Sequence, residues 1–371
     1  MCDLLFAFCF DLLKHKPTVI NYILSGANTA ILGVDYDKVL SYICCMKHIS
    51  ILVPKGAASL ACIDGAYNAF TKANEFLVRI GKPPMFTIQL VGLTKDDQVY
   101  ERLFTVHPDV TIKNIFKTDL IIIPAVNGEM EKVIDINKEF FPWINKQHAN
   151  GAEVASLCMG AFLLASTGLL KGKKCATHWL GANDFRKMFP DVDLVSEKII
   201  TDEQGIYSSG GATSFWNLLL HIIEKYVDRD MAITMSKYFE IEIDRYNQSS
   251  FIIFQGQKEH EDQPVKQAQE FIEKNYHDKI TVEQLTSMVA LSRRNFERRF
   301  KKATSNTIVE YMQRVKIEAA KKGLETGRKN VNELMYEVGY SDSKAFRTVF
   351  KKTTGLSPIE YRNKYNKEAV A

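Results

Sequence analysis

No stretch of this 371-residue chain reaches the roughly 18 consecutive apolar residues that a membrane-spanning helix needs, so a helical membrane protein is not expected. No CxxC pair occurs. The seven cysteines (Cys2, Cys9, Cys44, Cys45, Cys62, Cys158, Cys175) are odd in number and irregularly spaced, which argues against a zinc or disulfide framework. A reducing cytoplasm is therefore the expected setting, and no metal or organic cofactor is implied. A secretory signal is not expected either: the apolar opening Leu4–Phe10 is short, lacks a basic start, and is flanked by Asp3 and Asp11. There is no low-complexity tract and no fixed-period repeat beyond two similar helical units near the C-terminus. What remains is ordinary globular composition, 46% hydrophobic and 25% charged, which suffices for buried cores without staples. The length suggests two domains or three.

Net charge is only +4, but it is unevenly placed. From Glu261 onward there are 22 Lys and Arg against 15 Asp and Glu, a balance of +7; the first 260 residues carry −3. A polyanionic partner would bind the C-terminal part.

Residues 1–45 hold four of the seven cysteines and read as a separate extension, either a short helical segment or a translation-start artefact ahead of Met46. From 46 to 228, apolar runs alternate with helical patterns, as in a parallel sheet covered by helices. Strands are expected at Ile49–Val53, Phe86–Gly92, Leu120–Pro124, Glu153–Leu157 and Gly205–Ser208. Helices are expected at Ala66–Gly81, Met130–Asn150, Gly160–Leu170 and Thr213–Val227. Residues 229–263 read as a linker with a helix near Met231–Phe239, and 264–367 as an all-helical domain.

In that last domain Val282, Leu285 and Val289 share one helical face, Ala290-Leu291-Ser292 forms a turn, and Arg293–Ala303 forms a second helix. Phe296 and Phe300, four apart, face the core, leaving Arg294, Glu297 and Arg298 outside. Six basic residues against one Glu exceed what a solvated face usually carries. The arrangement recurs with Val331, Leu334 and Val338, the turn Gly339-Tyr340-Ser341, and the helix Asp342–Thr353 with Phe346 and Phe350 inside. Val309–Leu324 reads as a long helix connecting the two. A basic helical bundle without nucleic-acid function is the plain alternative.

This segment, from about Gln267 to Tyr365, resembles an AraC-type regulator domain, most specifically through Val338–Asp342, Phe346, Phe350, Gly355-Leu356-Ser357-Pro358 and Tyr361-Arg362. The resemblance implies double-stranded DNA as partner, with the two exposed helices in successive major grooves, about 34 Å apart. It places Arg294, Glu297 and Arg298 in the first groove, and Ser343, Lys344, Arg347 and Thr348 in the second. Arginine can read guanine in bidentate fashion; lysine mainly grips phosphate.

In the preceding domain, Glu153–Phe162 reads as strand, tight turn and helix with Cys158 at the junction, which puts the sulfur near a helix start and favours thiolate. His178 could pair with it. The stretch Met46–Val227 resembles the PfpI-type, class I glutamine amidotransferase-like α/β family through this elbow, Gly168-Leu169-Leu170, Thr177-His178 and Ser209–Ser214. Fusion to an AraC-type domain resembles the GlxA-like regulators, whose first domain is regarded as a ligand sensor. The implied architecture is an α/β parallel-sheet sandwich followed by an all-α double helix-turn-helix domain, acting as a homodimer under control of an unidentified small-molecule effector.

Two departures separate the chain from the family's enzymes. Cys62 stands where they carry an acid that contacts the cysteine. The turn Pro124–Gly128 has Ala125 and Val126 where they carry a glycine-rich oxyanion turn. Both point from turnover toward binding. Cys158 can line a pocket, act as an oxidisable thiolate, or serve as a nucleophile; pocket lining is carried forward, with His178, Asn127 and Cys62 as further candidates and Trp179 nearby. The alternative function is a cysteine-dependent amidase or hydrolase.

Overall fold

The computed structural model describes residues 46–100, 104–243 and 245–366; the expectations for residues 1–45 lie outside the described residues. The first half contains, in order, β1 (Lys47–Leu52), α1 (Leu60–Arg79), β2 (Phe86–Gly92), β3 (Gln98–Tyr100), β4 (Phe104–Val106), β5 (Val110–Thr111) and β6 (Leu120–Ile123). It continues with α2 (Met130–Asn137), α3 (Phe140–Ala149), β7 (Glu153–Ser156), α4 (Ala161–Ser166), β8 (Lys174–Cys175), α5 (Ala182–Met188) and β9 (Asp193–Leu194). It ends with β10 (Ile200–Asp202), β11 (Ile206–Ser209), α6 (Ser214–Tyr226) and α7 (Arg229–Tyr238).

Seven strands form one sheet in the order β10-β11-β7-β6-β1-β2-β5, parallel except for β10 at one edge. β6 (Leu-Ile-Ile-Ile) and β11 are buried throughout, because helices cover both faces and no strand face needs to be polar. One layer groups α1, α6 and α7; the other groups α2, α3 and α4.

The expected helix over Met130–Asn150 is two helices. Pro142 has no amide to continue the backbone ladder, and the Asn137 side chain accepts from the Lys55 amide (2.8 Å) and donates to the Lys55 and Val133 carbonyls. α1 starts at Leu60, earlier than its pattern suggests, and Gly65 lies inside it. A Cβ there would meet the Phe215 ring at 2.7 Å, so glycine allows α1 and α6 to close up. α7 packs through Met231 and Met235 into the α/β core.

Residues 239–262 lead to seven further helices: α8 (Gln263–Lys274), α9 (Val282–Met288), α10 (Arg293–Thr304), α11 (Ile308–Thr326), α12 (Val331–Glu337), α13 (Ser343–Thr354) and α14 (Pro358–Tyr365). They enclose two separate cores. Leu285, Phe296, Phe300 and Tyr311 belong to one; Leu334, Phe346, Phe350 and Tyr361 belong to the other. α11 supplies Ile308 and Tyr311 to the first and Ile317, Ala320 and Leu324 to the second. Caps define the starts: Thr307, Asn330 and Ser357 each form a capping box with the glutamate three residues on, and Thr281 accepts from the Gln284 amide. No described helix is long and apolar enough to cross a membrane.

Candidate functional site

The second helix of each helical pair, α10 and α13, is fixed by its two phenylalanines. Phe296 and Phe300 pack edge to face at 5.7 Å, and Phe346 and Phe350 lie at the same 5.7 Å. With those rings inside, helical geometry turns the intervening positions outward. Arg294, Glu297, Arg298, Lys344, Arg347 and Thr348 are exposed, and Ser343 is half-buried at the start of α13.

The charges differ in their present partners. On α10, Arg293 bonds Glu297 (2.9 Å) and Glu283 (2.7 Å), and Arg298 donates to Asn295 Oδ1 (3.1 Å). Arg299 forks onto Asp262 with two 2.8 Å bonds, which ties α10 to the start of α8 and removes that guanidinium from the outer face. On α13, Lys344 and Arg347 make no ion pair with any described residue. Asp342 points inward along the backbone, accepting from the Lys344 and Ala345 amides.

In the α/β domain, Cys158 adopts φ 54°, the strained junction expected of a strand–turn–helix elbow. The conformation is held from both sides: its amide donates to Ser209 Oγ (3.1 Å) and its carbonyl accepts from Thr177 Oγ1 (3.0 Å). The expected thiolate is not favoured. Burial pushes the thiol up to about 11, against hydrogen bonds from the backbone of Ala212 and Met159 that act the other way. Desolvation outweighs the helix-start effect. Cys62 lies close enough for its charge to raise Cys158 further, and it is itself pushed up by burial.

His178 is brought near the elbow without engaging the sulfur. Its Nδ1 accepts from the Leu180 amide (3.1 Å), burial lowers its pKa, and its ring lies against Gly211, where a Cβ would approach it to 2.6 Å. Asn127 is exposed, and its amide donates to Ala57 O (2.8 Å). The turn after β6 is stapled to the segment before α1 through this bond and through Ser59 N to Ala125 O (2.8 Å). The amides of Cys158 and Asn127 already donate, to Ser209 Oγ and to Ala57 O, so neither is available to an oxyanion.

The polar linker stretch Asn247–Ser250 joins the two halves. Gln248 is 2% exposed. Its Oε1 accepts from the Gly211 amide (2.9 Å), and its Nε2 faces the carbonyls of Thr177 (2.9 Å) and Ser196 (2.8 Å). Two residues on, Ser250 O accepts from Tyr365 Oη of α14 (3.1 Å), and the turn Ser249–Phe251 packs on α13. The backbone beside His178 and the helices α13 and α14 are thus fastened to one short segment. Sequence patterns gave no sign of Gln248, because a single buried glutamine in a polar stretch has no period.

A cavity of about 540 Å3 opens between the domains. Trp179 lines it; Cys158, His178, Asn127 and Cys62 do not. Arg186 of α5 and Arg314 of α11, neither distinguished by any sequence motif, both line it.

Comparison with known proteins finds two separate matches along the chain. The DJ-1/PfpI family matches residues 75–225, and a helix-turn-helix domain matches residues 285–364. HTH-type transcriptional regulator GbdR of Pseudomonas aeruginosa is 23% identical over 256 residues, 69% of each chain. The bifunctional transcriptional activator/DNA repair enzyme AdaA of Bacillus subtilis is 39% identical over 93 residues, 25% of this chain and 44% of its own. Among solved structures, an AraC family transcriptional regulator from Pseudomonas putida is 15% identical with a TM-score of 0.44, covering 52% of this chain and 99% of its own.

Proposed function

We propose that this chain, a DNA-binding transcriptional regulator made of a DJ-1/PfpI domain and an AraC-type helix-turn-helix domain, sets α10 and α13 into successive major grooves and adjusts that grip to a small molecule. The observation that carries this reading is the paired presentation of two exposed basic helices, each anchored by two buried phenylalanines, against the single unbroken helix α11. Arg294, Glu297 and Arg298 read the first groove; Ser343, Lys344, Arg347 and Thr348 read the second. Lys301, Lys302 and Lys351 lie in the last turns of α10 and α13, within reach of phosphates.

Ligand control is supported by Gln248, which couples the backbone around His178 to the contacts of α13 and α14. A molecule that shifts the Gly210–Ala212 loop changes the bonds Gln248 can keep, and differential affinity for two arrangements is what regulation requires. Two copies on a paired operator extend the reading, because half-sites mirror protein symmetry. Cys158 performs no turnover in this reading: its thiol is protonated at neutral pH, and neither an acid nor a hydrogen-bonded histidine assists it.

The test is fluorescence anisotropy of the full chain on a selected operator and on a scrambled duplex at fixed salt. Arg298→Ala is expected to cost roughly 1–3 kcal/mol on the operator and much less on the scrambled DNA. Equal losses on both would demote Arg298 to a phosphate contact. No salt-sensitive binding of wild type to any duplex would end the reading.

A further inference from the structure

The cavity between the domains, about 540 Å3, matches the room a small metabolite occupies. Arg186 reaches it from α5 and Arg314 from α11, the helix common to both helix-turn-helix cores; Lys352, at the end of α13, lines the same space. Arginine cannot shed its charge at neutral pH, so each guanidinium needs water or an anion. The carboxylates nearby are largely committed elsewhere. Glu310 caps its own helix through Thr307 while its charge also supports that of Arg314, with no ion pair between them among the described residues, and Glu318 is held by Lys321 (2.8 Å) and the Phe254 amide (3.1 Å). Glu197 favours both guanidinium charges but forms no ion pair with either among the described residues. Arg186 donates one bond, to Ser196 Oγ (3.0 Å). Arg314 lies 5.7 Å from the Phe254 ring centre and has no hydrogen bond to any described residue.

We propose that this cavity binds a small oxyanion-bearing metabolite, a carboxylate or a phosphate ester, clamped between Arg186 and Arg314 with its body beside Trp179 and Phe254. The two forks are the group best suited to take two oxygens of such an anion at once. Loss of water in the cavity weakens both guanidiniums' hold on their protons, and the charge of Arg314 adds to that effect at Arg186. An intervening anion relieves both costs. It also bridges α5 to α11, so the occupied cavity holds the two domains in one arrangement and the empty cavity leaves them to separate more easily. The binding claim stands apart from the proposed DNA function; only this last consequence rests on it.

The test is calorimetric titration of the full chain, without DNA, using succinate and inorganic phosphate as probes and chloride at equal ionic strength as the baseline. Saturable binding of at least one oxyanion is expected, and which one saturates separates a carboxylate from a phosphate ligand. Arg186→Gln and Arg314→Gln should each weaken binding by about tenfold or more, and Arg314→Lys, which keeps the charge but loses the fork, by a smaller factor. Melting curves of the three variants establish that they fold. Only a chloride-like, unsaturable response to both anions up to about 10 mM, or saturable binding unchanged in both Gln variants, overturns the proposal. Because the readout is taken without DNA, its failure and the failure of the DNA-binding reading are separate results.

Discussion

The first helix-turn-helix unit turns at Ala290 with φ 51°, the second at Gly339 with φ 75°. Both then leave their exposed helix in the same left-handed conformation, through Ser305 (φ 58°) in one and Gly355 (φ 77°) in the other. The second unit uses glycine where the backbone demands it; the first forces side-chain-bearing residues into the same shape and holds them by packing. The charges follow a similar division. In the first unit Arg293, Arg298 and Arg299 already have side-chain partners, whereas Lys344 and Arg347 of the second have none among the described residues. On the first unit Arg298 is thus held by a neighbour before any DNA arrives, whereas Arg347 of the second brings a charge that no described side chain satisfies.

Gly339→Ala should disturb this contrast most. A Cβ would sit 2.3 Å from the His277 carbonyl oxygen and 2.5 Å from Lys316 Nζ, the amine that bonds the Val338 carbonyl. With the added cost of positive φ, a loss on the order of 3 kcal/mol is expected, read as an earlier urea midpoint. An unchanged midpoint would show that the second turn is no more demanding than the first.

Next in size, Arg347→Ala should cost roughly 2 kcal/mol of operator affinity and exceed Arg298→Ala in the same anisotropy assay, because Arg298 must first give up Asn295. Equal losses would erase the distinction between prearranged and unpaired side chains. The smallest effect is a gain: Ala290→Gly relieves a left-handed alanine and should raise stability by up to about 1 kcal/mol, part of the relief being offset by glycine's freedom in the unfolded chain. A loss there would mean that the alanine methyl earns its place by packing.

Much of this was legible in the residues. Phe86–Gly92 is a strand with the bounds its pattern suggests, and Leu120–Ile123 announces a strand covered on both faces. The paired phenylalanines identified which faces of α10 and α13 look outward. Shorter or interrupted elements were less legible. β10 has only three residues, too few for a period, and the break between α2 and α3 turns on one proline. The protonation of Cys158 is not legible in sequence, because a helix start shows there whereas the burial that raises its pKa does not. Gln248, Arg186 and Arg314 were missed for a related reason. Each matters through a partner distant in sequence, and local spacing carries no trace of that.

α11 runs unbroken for 19 residues, about 28 Å, and lends a side to each of the two cores. It therefore acts as a ruler as well as a connector. On the proposed reading, adding one base pair between the two subsites would swing the second by about 35° around the duplex axis, and an unbroken helix has no joint with which to follow. If α10 and α13 enter successive grooves as proposed, the phase between the two subsites is imposed on any target before a single base is read.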